Sequence, residues 1–464
     1  MSNQSIQRPN ILYLHCHDAG RYIEPFGHAI PSPNLQKLAE GGVLFRNNFC
    51  ASPSCSASRA ALLTGQSPHN ASMLGLAHIG WSLYDYRQHL AYFLRHNGYH
   101  TAVCGVEHTG EYRAKDAGGN SFLYHEKIAL AEIDHPVSHE RHDRGVAQAS
   151  AQWLRERGDD APFFLAVGFV YPHRVYGEAD PSKSRAEDAR YITPPAPLPD
   201  TPETRADMAD FKASVRVMDE GCGVVLDALE KAGLADNTLV IATTDHGIAF
   251  PYMKCNLTDH GCGVYLMLRG PGVDSGKVVD AMTTHIDVYP TLCEMLDLEK
   301  PEWLQGESLV PLLDGTAKEI HDELFFEVTF HASYEPMRAV RTKRHKLIKR
   351  FDPLFAGPVL PNCDAGQSKK LWVQNGWADR EPAMTQLYDL VFDPNETNNL
   401  AESAIHADIR ADLEMRLMDW MRRTNDPLLK GAVPLNESAT VWPADAVNLE
   451  SLAKGRELYL KPRN

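Results

Sequence analysis

Two short runs in this 464-residue chain place a carboxylate beside an imidazole, His17-Asp18 and Asp245-His246. Each follows an apolar stretch, Ile11-Leu12-Tyr13-Leu14 in one case and Leu239-Val240-Ile241-Ala242 in the other, so each reads as the polar end of a buried strand. Carboxylate oxygens and neutral imidazole nitrogens are donors that hold divalent cations. His17, Asp18, Asp245 and His246 are therefore candidate metal ligands, with Cys55 or its oxidised form completing the shell. A single Asp-His pair is more often a hydrogen-bonded surface turn, because such residues are mostly exposed. Two pairs at two strand ends, with the Cys55 stretch between them, make a stronger signal than either alone.

That stretch runs Pro53-Ser54-Cys55-Ser56-Ala57-Ser58-Arg59-Ala60-Ala61-Leu62-Leu63-Thr64-Gly65. Pro53 breaks what precedes it, Ser56 or Ser58 is placed to cap orphan amides, the Ala and Leu residues favour helix, and Gly65 stops it. A cysteine at a helix start beside Arg59 lies in positive potential, which favours a thiolate or a bound anion. An isolated cysteine more commonly just fills apolar space.

The elements that must position these residues alternate in type. Strands are expected over 10–18, 101–104, 163–170, 238–243 and 264–268, and helices over 33–40, 86–97, 144–157 and 206–232. Four strand ends carry His or Asp: His17-Asp18, Glu107-His108, His173-Arg174 and Asp245-His246. This order predicts an α/β fold with a large, mostly parallel sheet flanked by helices, and a site shared by those strand ends. Beyond about residue 330 short alternating strands and a helix over 405–423 predict a smaller α+β domain with an antiparallel sheet. The expected organisation is a catalytic domain over 1–333 and a second domain over 334–464, ending in a surface-wrapping tail.

A formal net charge of -15 argues against nucleic acid as a partner and requires any anion site to be locally positive. Nine scattered cysteines without a Cys-x-x-Cys pair read as buried free thiols rather than a disulfide framework or structural zinc cluster. No apolar run reaches membrane-spanning length and the first residues lack the apolar core of a secretion signal, so the expectation is a cytoplasmic protein without a membrane partner. A homo-oligomer is left open.

The Cys55 stretch closely resembles the signature of the type I sulfatases, Cys-x-Pro-Ser-Arg followed by Leu-Leu-Thr-Gly, with Ala57 where proline is usual. The resemblance extends over nearly the whole chain, through Pro33-Asn34-Leu35, Thr243-Thr244-Asp245-His246-Gly247, Arg338-Ala339-Val340-Arg341 and Leu387-Tyr388-Asp389. Asp160-Ala161-Pro162-Phe163-Phe164-Leu165 leading to Pro172-His173-Arg174 looks most like the sulfamidase (heparan N-sulfatase) branch. The resemblance implies an alkaline phosphatase-like fold and a hydrolase of sulfate esters or sulfamates. It implies that a formylglycine-generating enzyme oxidises Cys55 to formylglycine, whose hydrate attacks sulfur, and that Arg59 steadies the hydrate. Asp18, Asp245 and His246 would hold one divalent metal, calcium by family habit. Lys254 would bind a sulfate oxygen, His173 would help protonate the leaving group, and His108 would help deprotonate the second hydroxyl.

Two further positions depart from that pattern and matter more than Ala57. His17 stands where most members carry aspartate, and Gly105-Val106-Glu107-His108 lacks the lysine of Gly-Lys-x-His. An imidazole in the shell suits manganese or zinc better than calcium. The expected substrate is a small or sugar-like sulfated molecule. The alternatives are a phosphodiesterase or phosphonate monoester hydrolase on the same site, and a non-catalytic binder of sulfated ligands with Cys55 unmodified.

Overall fold

The computed structural model describes residues 8–116, 119, 121–130, 138–158, 161–174, 176, 187–352, 357–437 and 439–444. Its strands fall in two sheets. The first contains β1 (Asn10–Cys16), β2 (Val43–Phe49), β3 (His100–Gly105), β4 (Glu126–Lys127), β5 (Phe163–Gly168), β6 (Thr238–Thr244), β7 (Leu266–Arg269) and β8 (Lys277–Thr284), in the order β4-β3-β5-β1-β6-β7-β2-β8. From β4 to β6 every pairing is parallel. β7 runs antiparallel to both β6 and β2, and β8 is parallel to β2.

β1 and β6 are buried along their whole length, which is why both are written as continuous apolar runs rather than alternating ones. Leu12 and Leu14 enter one core cluster while Ile11 and Tyr13 enter another, one on each face of the sheet. Helices cover both faces: α1 (Pro33–Glu40), α2 (Cys55–Thr64), α3 (Leu90–His96), α4 (His139–Glu156) and α5 (Pro202–Lys231). The α/β class and the mostly parallel sheet agree with the sequence pattern.

Several local expectations shift. The helix expected over 86–97 divides into a 3-10 turn, Tyr86–Gln88, and α3, because His89 Nδ1 accepts the Ala91 N–H and caps a new start. Helix α4 begins at His139 behind a Ser138 cap, where charged residues mask the periodicity. Helix α5 begins at Pro202 behind Thr201. β2 and β8 were not expected as strands. Half of β2 is polar, and its pairing comes from β7 and β8 far along the chain.

The second sheet is antiparallel, in the order β12-β11-β10-β9, with β9 (Glu323–Phe330), β10 (Tyr334–Thr342), β11 (His345–Arg350) and β12 (Thr385–Asp389). It begins at Glu323, ahead of the expected boundary at 334. One face shares a buried cluster with the first sheet's edge, joining Phe326, Met337 and Ile348 to Phe49, Leu257 and Val264. The helix Ala407–Arg423 covers the other face. Near the C-terminus Thr440 and Trp442 donate backbone hydrogen bonds to the Ile79 and Ala332 carbonyls, while most of the expected tail lies outside the described residues. All nine cysteines are free and buried. Among the described residues no helix is long and apolar enough to cross a membrane.

Candidate active site

β1 and β6 lie side by side and in register, His15 opposite Thr243 and Cys16 opposite Thr244. The two carboxylate–imidazole pairs therefore leave the sheet at one level, on the edge where such sheets bind ligands. Asp18 takes left-handed backbone (φ 50°), and its N–H donates to Asp245 Oδ1 at 2.8 Å. The His246 N–H donates to the same oxygen at 2.9 Å. Asp245 Oδ2 is left facing inward, 3.1 Å from His17 Nδ1, 3.1 Å from the Arg59 guanidinium and 3.6 Å from His246 Nε2. His246 Nδ1 donates to the Gly247 carbonyl, so Nε2 carries a lone pair. That lone pair lies 3.4 Å from Asp18 Oδ1 and 3.2 Å from Cys55 Sγ.

His17 Nδ1 and Asp18 Oδ1 are buried and have no hydrogen-bond partner. Although His17 Nδ1 is close to Asp245 Oδ2, the two are not aligned as donor and acceptor. Lone pairs that converge in a site closed to water repel one another unless a cation lies among them. Ligand atoms of Asp18, Cys55, Asp245 and His246 all lie within 4.8 Å of one another, and so do those of His17, Asp18, Cys55 and His173. The donor atoms fit one divalent cation. In the second group an ammonium already takes the cation's place: Lys254 Nζ donates to Asp18 Oδ2 at 3.0 Å and lies 3.5 Å from His173 Nε2.

Cys55 is the first residue of α2, all ten residues of which are buried. The expected serine caps are absent. Ser58 donates instead to the Asp245 carbonyl, Ser56 Oγ accepts the Ala77 N–H, and Ser54 Oγ pairs with His331 Nδ1. These serines bolt the helix to its neighbours. The thiolate expected at this helix start is also overturned. Burial pushes the Cys55 thiol well above its ordinary pKa, and the nearby Lys254 only partly offsets this. One turn on, Arg59 donates to the Cys16 carbonyl at 2.9 Å, to His15 Nδ1 and to Asp245.

His108 follows β3 in left-handed backbone (φ 69°), its ring 5.5 Å from that of His17. Burial first, then Arg59, pushes its pKa down to about 3. Its neighbour Glu107 faces away, bonded to His89 Nε2 and the Thr109 N–H. His173 follows β5 and meets the His17 ring edge-on at 5.3 Å, with Nδ1 on the Arg174 carbonyl. The structure thus gathers His17, Asp18, Cys55, Arg59, His108, His173, Asp245, His246 and Lys254 around one point.

Three further residues enter that were not anticipated. Asp364, between β11 and β12, lies 2.8 Å from Lys254 Nζ. Against the cost of burial, Lys254 holds its carboxyl well below the usual range. In turn Asp18 and Asp364 overcome burial to keep Lys254 an ammonium. His331, just past β9, backs Ser54, and His78 bonds His108. Asp364 and His331 belong to the C-terminal part of the chain and carry no local motif. His78 sits in a Gly-Leu-Ala-His-Ile-Gly run whose glycines mark a loop, the one signal that could have drawn attention to it.

A metal-ready cluster beside a helix-start cysteine, on the edge of a helix-flanked sheet, defines an alkaline phosphatase-like hydrolase. The chain belongs to the sulfatase family: that family's model matches residues 9–298, and the model for the C-terminal region of N-sulphoglucosamine sulphohydrolase matches residues 250–354. It is 30% identical to the N-sulphoglucosamine sulphohydrolase of Homo sapiens over 90% of this chain and 91% of that one. A structure solved in complex with its substrate D-glucosamine-2-N,6-O-disulfate superposes with a TM-score of 0.66 at 18% identity, covering 91% of this chain and 99% of the other. A phosphonate monoester hydrolase from Silicibacter pomeroyi gives 0.70 at 19% identity over 93% and 98%. These last two likenesses are of fold.

Proposed function

We propose that this protein removes sulfuryl groups, as sulfate esters or sulfamates, from sugar-like molecules, using one divalent metal and formylglycine made from Cys55 by a formylglycine-generating enzyme. The observation that carries the reading is the convergence of donor atoms of His17, Asp18, Asp245 and His246 beside Cys55 Sγ, with His17 Nδ1 and Asp18 Oδ1 left without a hydrogen-bond partner. The family, the name of its N-sulphoglucosamine sulphohydrolase relative and the glucosamine disulfate substrate of a structural neighbour support the substrate class.

His17, Asp18, Asp245 and His246 would hold the metal, which when bound supplies positive charge against the sulfuryl oxygens. Two imidazoles among four ligands favour manganese or zinc over calcium. Formylglycine supplies what a thiol lacks, an attacking oxygen together with a second hydroxyl able to expel sulfate. Lys254, kept charged by Asp18 and Asp364, binds a sulfuryl oxygen and stabilises charge that grows in the transition state. His173 keeps Nδ1 on the Arg174 carbonyl, which leaves Nε2 as the nitrogen that would pass a proton to the departing oxygen or nitrogen. His108 presents Nδ1, buried and unpartnered, as the base for the second hydroxyl. Arg59 holds Asp245 and β1 in place behind the ligands.

The test is the chemical state of Cys55 in active protein from the native host. The tryptic peptide 47–59 contains both Cys50 and Cys55, so Cys50 serves as an internal control. After alkylation, mass spectrometry should find label on Cys50 and an aldehyde at Cys55. Activity on sulfate esters or sulfamates with Cys55 recovered wholly as alkylated thiol overturns the formylglycine route. Turnover of phosphonate monoesters alone overturns the substrate class.

A further inference from the structure

His78 and His108 meet end to end. His78 Nδ1 lies 3.2 Å from His108 Nε2, the ring planes are 11° apart and the ring centres are 5.4 Å apart. The centre-to-centre distance exceeds the nitrogen–nitrogen distance by nearly two ring radii. The rings therefore lie edge to edge in almost one plane, with the nitrogens aimed at each other, which is the geometry of an in-line N–H···N bond rather than a stack. The two rings differ in surroundings. His108 Nδ1 is buried with no partner, whereas His78 is exposed.

The pairing is built in from both sides. His78 sits in a 3-10 turn, Ala77–Ile79, whose Ala77 N–H donates to Ser56 Oγ at 3.0 Å, one residue from Cys55. The Ala77 carbonyl accepts from Tyr112 and Arg113, just downstream of His108. Glu107, the nearest carboxylate in sequence, is committed to His89 and Thr109 and leaves the His108 ring to His78. The bonded pair therefore runs from a buried, unpartnered ring nitrogen in the site to a ring open to solvent.

We propose that His78 is the proton outlet of the active site. When His108 takes a proton at Nδ1, it hands its Nε2 proton to His78 Nδ1, and His78 releases its own Nε2 proton to water. One proton enters the pair and one leaves, and both rings remain neutral. After the product departs, a proton from water adds at His78 Nε2, the His78 Nδ1 proton passes back to His108 Nε2, and the His108 Nδ1 proton leaves to water in the emptied pocket, which restores the starting tautomers. The inference rests on the reading of His108 as the base in sulfate release.

The test uses holoenzyme with converted Cys55, its wild type, H78A and H78Q, on whichever of 4-nitrophenyl sulfate and N-sulfoglucosamine the wild type turns over. Because His78 is exposed, both variants should unfold at the wild-type temperature. Glutamine still accepts a hydrogen bond from His108 but cannot pass a proton on, so it separates holding from relaying. Both variants should lose about a hundredfold in kcat, the low side of a general acid–base contribution, with KM nearly unchanged. Added imidazole should restore H78A. Wild-type kcat in H78Q, or no response of H78A to imidazole, overturns the relay while the sulfatase reading stands. A wild type with converted Cys55 that is inert toward both substrates overturns the two together.

Discussion

Two buried clusters in this chain use the same side-chain types and end in opposite states. Beneath the active site His17, Asp18, Asp245 and His246 crowd their donor atoms together. Where the second sheet begins, His69, Glu327 and Asp426 do likewise, with ligand atoms again within 4.8 Å of one another. In that second cluster a guanidinium fills the centre. Arg338, fully buried, donates to both Asp426 oxygens, lies 3.3 Å from Glu327 Oε2, and spends Nη1 on the Val328 and Met337 carbonyls. Glu327 also accepts from the His69 backbone N–H and pairs with Nδ1 at 2.7 Å each. In the first cluster Arg59 binds Asp245 Oδ2 and Lys254 binds Asp18 Oδ2, while His17 Nδ1 and Asp18 Oδ1 stay bare. Residue type alone does not distinguish the two clusters; what differs is whether donor atoms are left without a partner.

The sharpest way to break that contrast is D245N, which keeps the hydrogen-bond acceptor but removes the charge. At tenfold per 1.4 kcal/mol, losing several kcal/mol of metal-derived stabilisation should cut kcat/KM on the order of 10³-fold. Elemental analysis should find the bound metal gone. A variant that keeps its metal places the cation elsewhere.

Next in size is R338M. Removing the cation from a buried ionic cluster leaves two uncompensated carboxylates and should cost about 3–5 kcal/mol in urea unfolding, with metal content of the folded protein unchanged. If R338M instead takes up a second metal ion with little loss of stability, the two clusters are equivalent and the contrast fails.

The smallest effect concerns Glu107, a closed acid–imidazole pair beside the open one. Burial would raise its pKa, but His89 and Thr109 bring it from 4.5 down to about 2. The folded-state pKa is the lower one, so its contribution is full above 4.5 and fades as pH falls toward 2. Over that window the wild type should lose about 1.4 kcal/mol per pH unit from this group, and E107Q should lose none from it. The two stability curves should therefore converge on acidification. A constant gap between pH 7 and pH 3 would show that Glu107 is not held ionised by its partners.

Much of the site was legible because its ligands are neighbours in sequence at the ends of apolar runs. An apolar run long enough for a buried strand, followed at once by His-Asp or Asp-His, determines that those side chains emerge at a sheet edge. The Ala-Leu stretch and Gly65 likewise determine that Cys55 opens a helix. β2 and β8 were not legible, because their partners supply the pairing and their own patterns are half polar. The serines around Cys55 have caps as their local preference, but His331, Ala77 and Asp245 offer them bonds that bring tertiary contacts as well.

The sequence by itself determined the alternation of strands and helices and the residues standing at each strand end, because backbone hydrogen bonding and side-chain alternation follow from neighbours within a few positions. Only the tertiary structure decided the charge states and the partners. Burial raises the pKa of the Cys55 thiol despite the potential at its helix start. Lys254 stays charged because Asp18, and Asp364 reaching it from beyond β11, lie against it, and His108 gains an outlet because a turn following α2 brings His78 to it. Desolvation and through-space charge depend on which distant segments meet, and no periodicity along the chain encodes that.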